Sequence, residues 1–212
     1  MWRRRARSPD TFRSASVGSA ATAPVTLRRP CRTTPQLTSR PTVEGSERML
    51  TRIVDRPAFR LVGHAARVPL IHRGVNPYIR QHVAALPAEE HLRLKALGDV
   101  EPGGLLAVCD DLDADYDEGS ELTYLHGVAV SPGTPVPGDL DVIEVPAGHW
   151  VVIRAVGRDP QALQKTWATA ATEWFPFNPW RLRPGPEIVA VPEPTADLST
   201  AIRELWLPVE PA

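Results

Sequence analysis

The order strand–helix–strand–strand occurs twice in this chain, and that duplication restricts its fold more than any other feature. The first pass runs from RLVGHAARVP (60–69) through a helical stretch, LLAVCDD (105–111) and an acidic loop to ELTYLHGVAV (121–130). The second runs from HWVVIRAVGR (149–158) through a helical stretch, EIVAVPEP (187–194) and a polar loop to RELWLPVE (203–210). Two copies are too few for a solenoid, so they must bury their apolar faces against each other. The fold expected is α+β: duplicated βαββ units forming an antiparallel sheet, with the two main helices on one side. A cleft at the junction of the copies would receive a small molecule.

Local signals place the elements. Residues 50–55 and 58–70 alternate loosely and read as strand. Asn76-Pro77 marks a helix start, with Asn as N-cap and Pro in the first position. Ile79, Val83 and Leu86 follow at helical spacing, Pro87 breaks the helix, and it restarts at Ala88 and stops at Gly98. SPGTPVPG (131–138) is a turn-rich connection, and Pro146-Ala147-Gly148 turns between two strands. Asp159-Pro160 repeats the start signature of the first helix. Leu163, Trp167, Ala170, Ala171 and Trp174 then share one face, until Pro176, Asn178 and Pro179 end the helix.

Charge divides the chain. Residues 1–48 hold ten Arg against three acids, whereas 49–212 hold fourteen Lys and Arg against twenty-two acids. The first segment has no sustained apolar period and is expected to be disordered. A targeting peptide or a nucleic-acid tail would explain its arginines. The reading adopted is an extension ahead of a translation start at Met49. Two cysteines, Cys31 and Cys109, fit the reducing cytoplasm and match no metal spacing. No apolar run is long enough to span a bilayer, and no helix-turn-helix pattern is visible, so neither membrane nor direct DNA contact is expected. Nothing points to a particular partner protein or to a dimer.

Motifs for phosphate, dinucleotide or nucleophilic chemistry are missing, and no cofactor is implied. The acidic run from Asp110 through Asp113 and Asp115 to Glu118 fails as a calcium loop. Counted from Asp111, it has Tyr116 and Leu122 where an EF-hand needs Gly and Glu. Glu187 stands out as a carboxylate entering an otherwise apolar strand, which favours contact with water or a ligand. On the last strand Glu204, Trp206 and Pro208 share one face and Leu205, Leu207 and Val209 the other. The aliphatic face suits core, and the acid and aromatic suit a cleft floor. Tyr124 and Trp206 occupy matching places in ELTY and RELW. Trp174, beside Phe175 and Phe177, reads as helix-end core or cleft wall, and Trp167 reads as core. Aromatics with a carboxylate are a receptor for organic cations.

GVAVSPGTPVPGDLDVIEVPAGHWVVIRAVG, the helix ending TEWFPFNPW, GPEIVAV and ELWLPV together resemble a GyrI-like domain over roughly residues 50–210. This is the effector-binding domain of bacterial AraC- and MerR-type transcription activators. The resemblance rests on VPAG at 145–148, EW-x-P at 173–176, PE at 186–187 and the closing LWLPV. It implies small-molecule recognition, with Glu187 meeting polar or cationic ligand groups, Trp174 matching the family's helix-end Trp, and Val189, Glu204 and Trp206 as further pocket positions. It leaves several roles open. One is ligand binding by a sensor or sequestering protein. A second is a hydrolase opening cyclopropane rings of DNA-alkylating compounds, with Glu187 as general base, although nothing here supplies a nucleophile or oxyanion hole. A third is a module acting on gyrase or a separate regulator.

Overall fold

The computed structural model describes residues 49–112, 117–157, 160–191 and 202–212. The arginine-rich extension 1–48, Asp113, Asp115 and Tyr116 of the acidic loop, and the expected cap Asp159 lie outside the described residues. The strands are β1 (Thr51–Arg56), β2 (Phe59–Pro69), β3 (Leu106–Asp110), β4 (Glu121–Val130), β5 (Asp141–Val145), β6 (Gly148–Val156), β7 (Trp180–Leu182), β8 (Glu187–Ala190) and β9 (Ile202–Pro211). The helices are α1 (Pro77–Ala84), α2 (Ala88–Leu97) and α3 (Gln161–Thr169). The fold is α+β, with one antiparallel sheet in the order β1-β6-β9-β8-β3-β4-β2-β5.

The duplication is visible in that order. β2, α1–α2, β3 and β4 form one βαββ unit, and β6, α3, β8 and β9 form the other. The units meet where β3 lies against β8. The short β7 carries no strand signal in the sequence and pairs with the end of β9.

A second junction joins the ends of the sheet. Arg56 pairs with Gly148 and Phe59 with Val145, so a single register runs across the interruption at Pro57-Ala58 and Pro146-Ala147. One half of this ladder is β1 with β6, and the other is β5 with β2. These stand at opposite ends of the strand order, so their continuity draws the sheet round on itself. The prolines suit the break, because neither can donate a ladder hydrogen bond there.

Closure explains the core on the face away from the helices. Strand alternation sends Leu61, Val108, Leu125, Trp150, Ile188 and Trp206 to the face without helices, where they form one buried cluster drawn from both units. Trp206 is 1 % exposed and meets Trp150 at 6.4 Å between ring centroids. Arg52 and Arg56 lie over the Trp206 ring and Arg183 over Trp150, each within cation–π range. The guanidinium of Arg183 stands where a side chain at Gly148 would go, which accounts for the glycine in VPAG.

The opposite face carries the helices. Asn76 caps α1 by accepting from the Tyr78 and Ile79 N–H groups at 3.1 and 3.3 Å, and its amide donates to the Pro69 carbonyl at 2.8 Å. The helix is thus tied to the end of β2. Pro87 separates α1 from α2, as the sequence predicts, and Leu94 buries α2 against Val62 and Val128. Gly98 ends α2 in an extended conformation rather than a left-handed one. A methyl there would lie 3.3 Å from Val128, so the glycine serves close packing.

Beyond α3 the chain forms a π-helical turn over Ala170–Trp174 and a 3-10 turn over Phe175–Phe177. The change of pitch rotates Trp174 into the cluster of Val151, Ile153, Leu205 and Leu207, where it is 8 % exposed.

Trp206→Ala should therefore lower stability by about 3–5 kcal/mol, read as a lower midpoint in urea unfolding. A change under about 1 kcal/mol would place the indole outside the core.

Candidate functional site

The helix-facing side chains of the central strands form rows across the sheet. One row runs Glu187, Cys109, Tyr124, Ala66 over β8, β3, β4 and β2. The next runs Leu205, Val189, Ala107, His126, His64. α1 covers the first unit and α3 the second, and between them a cavity of about 670 Å³ opens onto these rows. Its floor is Glu187, Val189, Ala107, Cys109, Leu122, Tyr124 and Leu205. Leu163, Trp167 and Ala168 of α3 form one wall, and Ile79 and Arg80 of α1 the other.

The loop from Leu70 to Asn76 overhangs the mouth. Gln164 of α3 fastens it, donating to the Gly74 carbonyl at 3.0 Å and accepting from the Gly74 N–H at 3.4 Å. This pair links the two units across the opening.

Glu187 is the one carboxylate among the described residues lining this cavity. It is partly buried, and its Oε2 accepts the indole N–H of Trp167 at 2.9 Å. The bond holds the carboxylate against the aromatic wall and leaves the Trp167 ring beside it. Cys109 is a free cysteine next to Glu187 in the row. Burial, reinforced by the charges of Glu187 and Asp110, pushes its thiol up to about 12. It therefore stays protonated and packs as a small apolar group, since only a thiolate is a strong nucleophile. Burial likewise raises the Tyr124 hydroxyl above its ordinary range, so it remains a neutral phenol. Apolar walls, a fixed carboxylate and neutral polar groups can hold an organic cation.

Of the residues singled out from the sequence, Glu187, Val189 and Tyr124 come together on this floor. Trp174, Glu204 and Trp206 do not. Trp174 is turned away by the π-helical turn. Trp206 and Glu204 point to the helix-free face, where Glu204 accepts both terminal nitrogens of Arg52 at 2.6 and 2.9 Å and the Trp206 indole at 3.2 Å. Matching ELTY to RELW is one residue out of step, and a one-residue slip moves every side chain to the other face. Leu205 and Leu207 are the helix-facing residues of β9. Trp167, Cys109 and the Leu70–Asn76 loop were missed as lining. The recurrence of Trp167 and Trp174 on one face was a signal, but the first indole rather than the second reaches the cavity.

Histidines scattered in sequence gather beside the cleft. His91 Nδ1 and His126 Nε2 are 3.0 Å apart, His64 Nε2 is 2.8 Å from Glu90, and His82 Nε2 donates to the His64 carbonyl at 3.0 Å. His82 also meets the Tyr124 ring edge-on. Among the described residues no group of three or more His, Cys, Asp or Glu is arranged to hold a metal ion. His126 is 9 % exposed. Burial first, then the neighbouring His91, His82 and His64, bring its pKa down to about 4.

A model of the GyrI-like small molecule binding domain matches residues 49–210. No curated protein sequence matches the chain. Among solved structures, SAV2435 bound to tetraphenylphosphonium is 18% identical, covering 76% of this chain and 94% of its own, with a TM-score of 0.56. A Staphylococcus aureus MU50 protein assigned to bacterial transcription regulation is also 18% identical, over 76% of this chain and 99% of its own, with a TM-score of 0.54. The EcmrR C-terminal domain is 14% identical, over 78% of this chain and 99% of its own, with a TM-score of 0.52. At these identities the structures share the fold. No described helix is long and apolar enough to cross a membrane.

The histidine cluster generates a pH dependence. His126 binds a proton at about 4 when folded and near 6.5 when unfolded. Between those values the unfolded chain holds more protons, so stability falls as pH drops through that window. Unfolding midpoints measured from pH 7 to 4 should decline, and His126→Gln should flatten the decline. An unchanged slope in the variant would assign the acid sensitivity elsewhere.

Proposed function

Because the chain belongs to the GyrI-like small-molecule binding domain family, we propose that it binds an aromatic organic cation in the cleft between α1 and α3, as a sensor or sequestering protein. The observation that carries this reading is the Trp167–Glu187 pair, an indole N–H held by a carboxylate on the floor of an apolar cavity. A cation brought against Glu187 gains Coulomb attraction in a site partly shielded from water, and its rings gain contact with Trp167 and Tyr124. The volume suits a drug-sized molecule. The tetraphenylphosphonium bound to SAV2435 supplies a probe of the right chemistry.

Binding is the reading adopted, because the protonated Cys109 thiol and the neutral Tyr124 phenol pack the floor as uncharged groups that leave the aromatic wall and the Glu187 carboxylate to meet a cation. Val189 and Leu205 provide the flat apolar floor.

Titration with tetraphenylphosphonium should quench tryptophan fluorescence saturably. Glu187→Gln should weaken the affinity about tenfold, the loss of one partly shielded charge pair, while the unfolding midpoint stays within about 1 kcal/mol of the parent. Equal affinity in the two proteins would remove Glu187 from the site.

A further inference from the structure

Residues 70–76 form a strap across the mouth of the cleft, and its attachments are uneven. At one end the Leu70 N–H donates to the Ser120 carbonyl at 2.7 Å, and the Leu70 carbonyl accepts from the Gly119 N–H at 2.9 Å. The His72 N–H donates to the Glu118 carboxylate at 2.8 Å. At the other end Asn76 is bound to Pro69 and caps α1. All of these partners belong to the first repeat. Among the described residues, the hydrogen bonds that carry the strap across to the second repeat are the two between Gly74 and Gln164.

Gly74 is shaped for that clasp. Its φ of 81° lies in the left-handed region, and both its N–H and its carbonyl meet one side-chain amide. A methyl at this position would meet no atom within 4 Å, so the glycine is there for conformation and not for space. Gln164 stands one turn before Trp167 and Ala168 on the same face of α3, and all three line the cavity. The clasp thus sits one helical turn from the indole that holds Glu187. The strap also presents Leu70, Ile71 and Val75 to the cavity. Val75 is 54 % exposed, and such a side chain gains by covering an apolar ligand.

We propose that the Gln164–Gly74 clasp is the gate of the cleft: it breaks to admit or release the ligand and re-forms over the occupied site, so that Gln164 sets the rates of exchange rather than the affinity. This rests on the cation-binding reading and adds its kinetic control. A neutral hydrogen bond near solvent has a small net worth, because water can replace either partner. One bond of the clasp is 3.0 Å and the other 3.4 Å. Together they count for about one good bond, which favours the closed strap about fivefold. Such a clasp opens readily while the better-anchored ends stay in place. The same bonds break on the way in and on the way out, so their loss speeds both directions by the same factor.

Stopped-flow tryptophan fluorescence with tetraphenylphosphonium tests this. In Gln164→Ala and in Gln164→Leu, association and dissociation should each run about fivefold faster than in the parent, with the dissociation constant within about twofold. The leucine variant keeps the bulk of the side chain, so agreement between the two assigns the effect to the lost bonds. Urea unfolding identifies which variants are folded, and one folded variant suffices. Unchanged rates in it would overturn the gate and leave the cation site standing. A change confined to one of the two rates, with affinity altered in proportion, would do the same, because it would make Gln164 a direct contact of the ligand. Absence of binding to the parent protein would overturn the cation reading and the gate with it.

Discussion

Where β3 lies against β8, four residues on each strand join the two repeats, and the site depends on that short contact. Neither unit alone makes the cleft. β3 brings Ala107 and Cys109 to its floor, β8 brings Glu187 and Val189, and the helices that follow β2 and β6 stand on either side. The second junction, the continuous ladder that runs through β1–β6 and β5–β2, holds the outer ends in place. Because both junctions are backbone pairings in fixed register, the position of the Glu187 carboxylate follows from strand geometry more than from loop conformation. Sites built on strands are held more rigidly than sites built on loops.

Alternation along the strands then gives each face its task. Side chains facing away from the helices fill a closed interior, with Trp150, Trp206 and Phe59 at its centre. Arginines lie over its aromatic rings. Side chains facing the helices serve as core beneath α2 and α3, and become cavity lining where the helices part. The π-helical turn after α3 sharpens this division. It sends Trp174 into the core while Trp167, one turn inside the regular helix, keeps its N–H on Glu187.

Much of this was legible in the residues. The repeated strand–helix–strand–strand order, the Asn76 cap, the break at Pro87 and the unusual place of Glu187 each have a local cause, such as periodicity, side-chain capping or a charge in an apolar strand. The family resemblance rested on VPAG, EW-x-P, PE and LWLPV, and the matching residues 49–210 span the same region. Other features needed the third dimension. The face of Trp206 turned on a register set by its partners in β6 and β8, which no spacing within RELW could reveal. The histidines gather because β2 and β4 place His64 opposite His126 while two helices add His82 and His91. The residues that came together did so through strand pairing, and pairing between distant segments leaves little trace in one sequence.

The central claim is that the ligand enters the helix-facing cleft between the repeats and never the aromatic interior on the other side of the sheet. Fluorine NMR of the protein carrying 5-fluorotryptophan tests it most directly, because indoles stand on both faces. With tetraphenylphosphonium added to saturation, the Trp167 resonance should shift strongly while those of Trp150 and Trp206 hold their positions. Shifts at Trp150 and Trp206 with Trp167 unmoved would contradict the account.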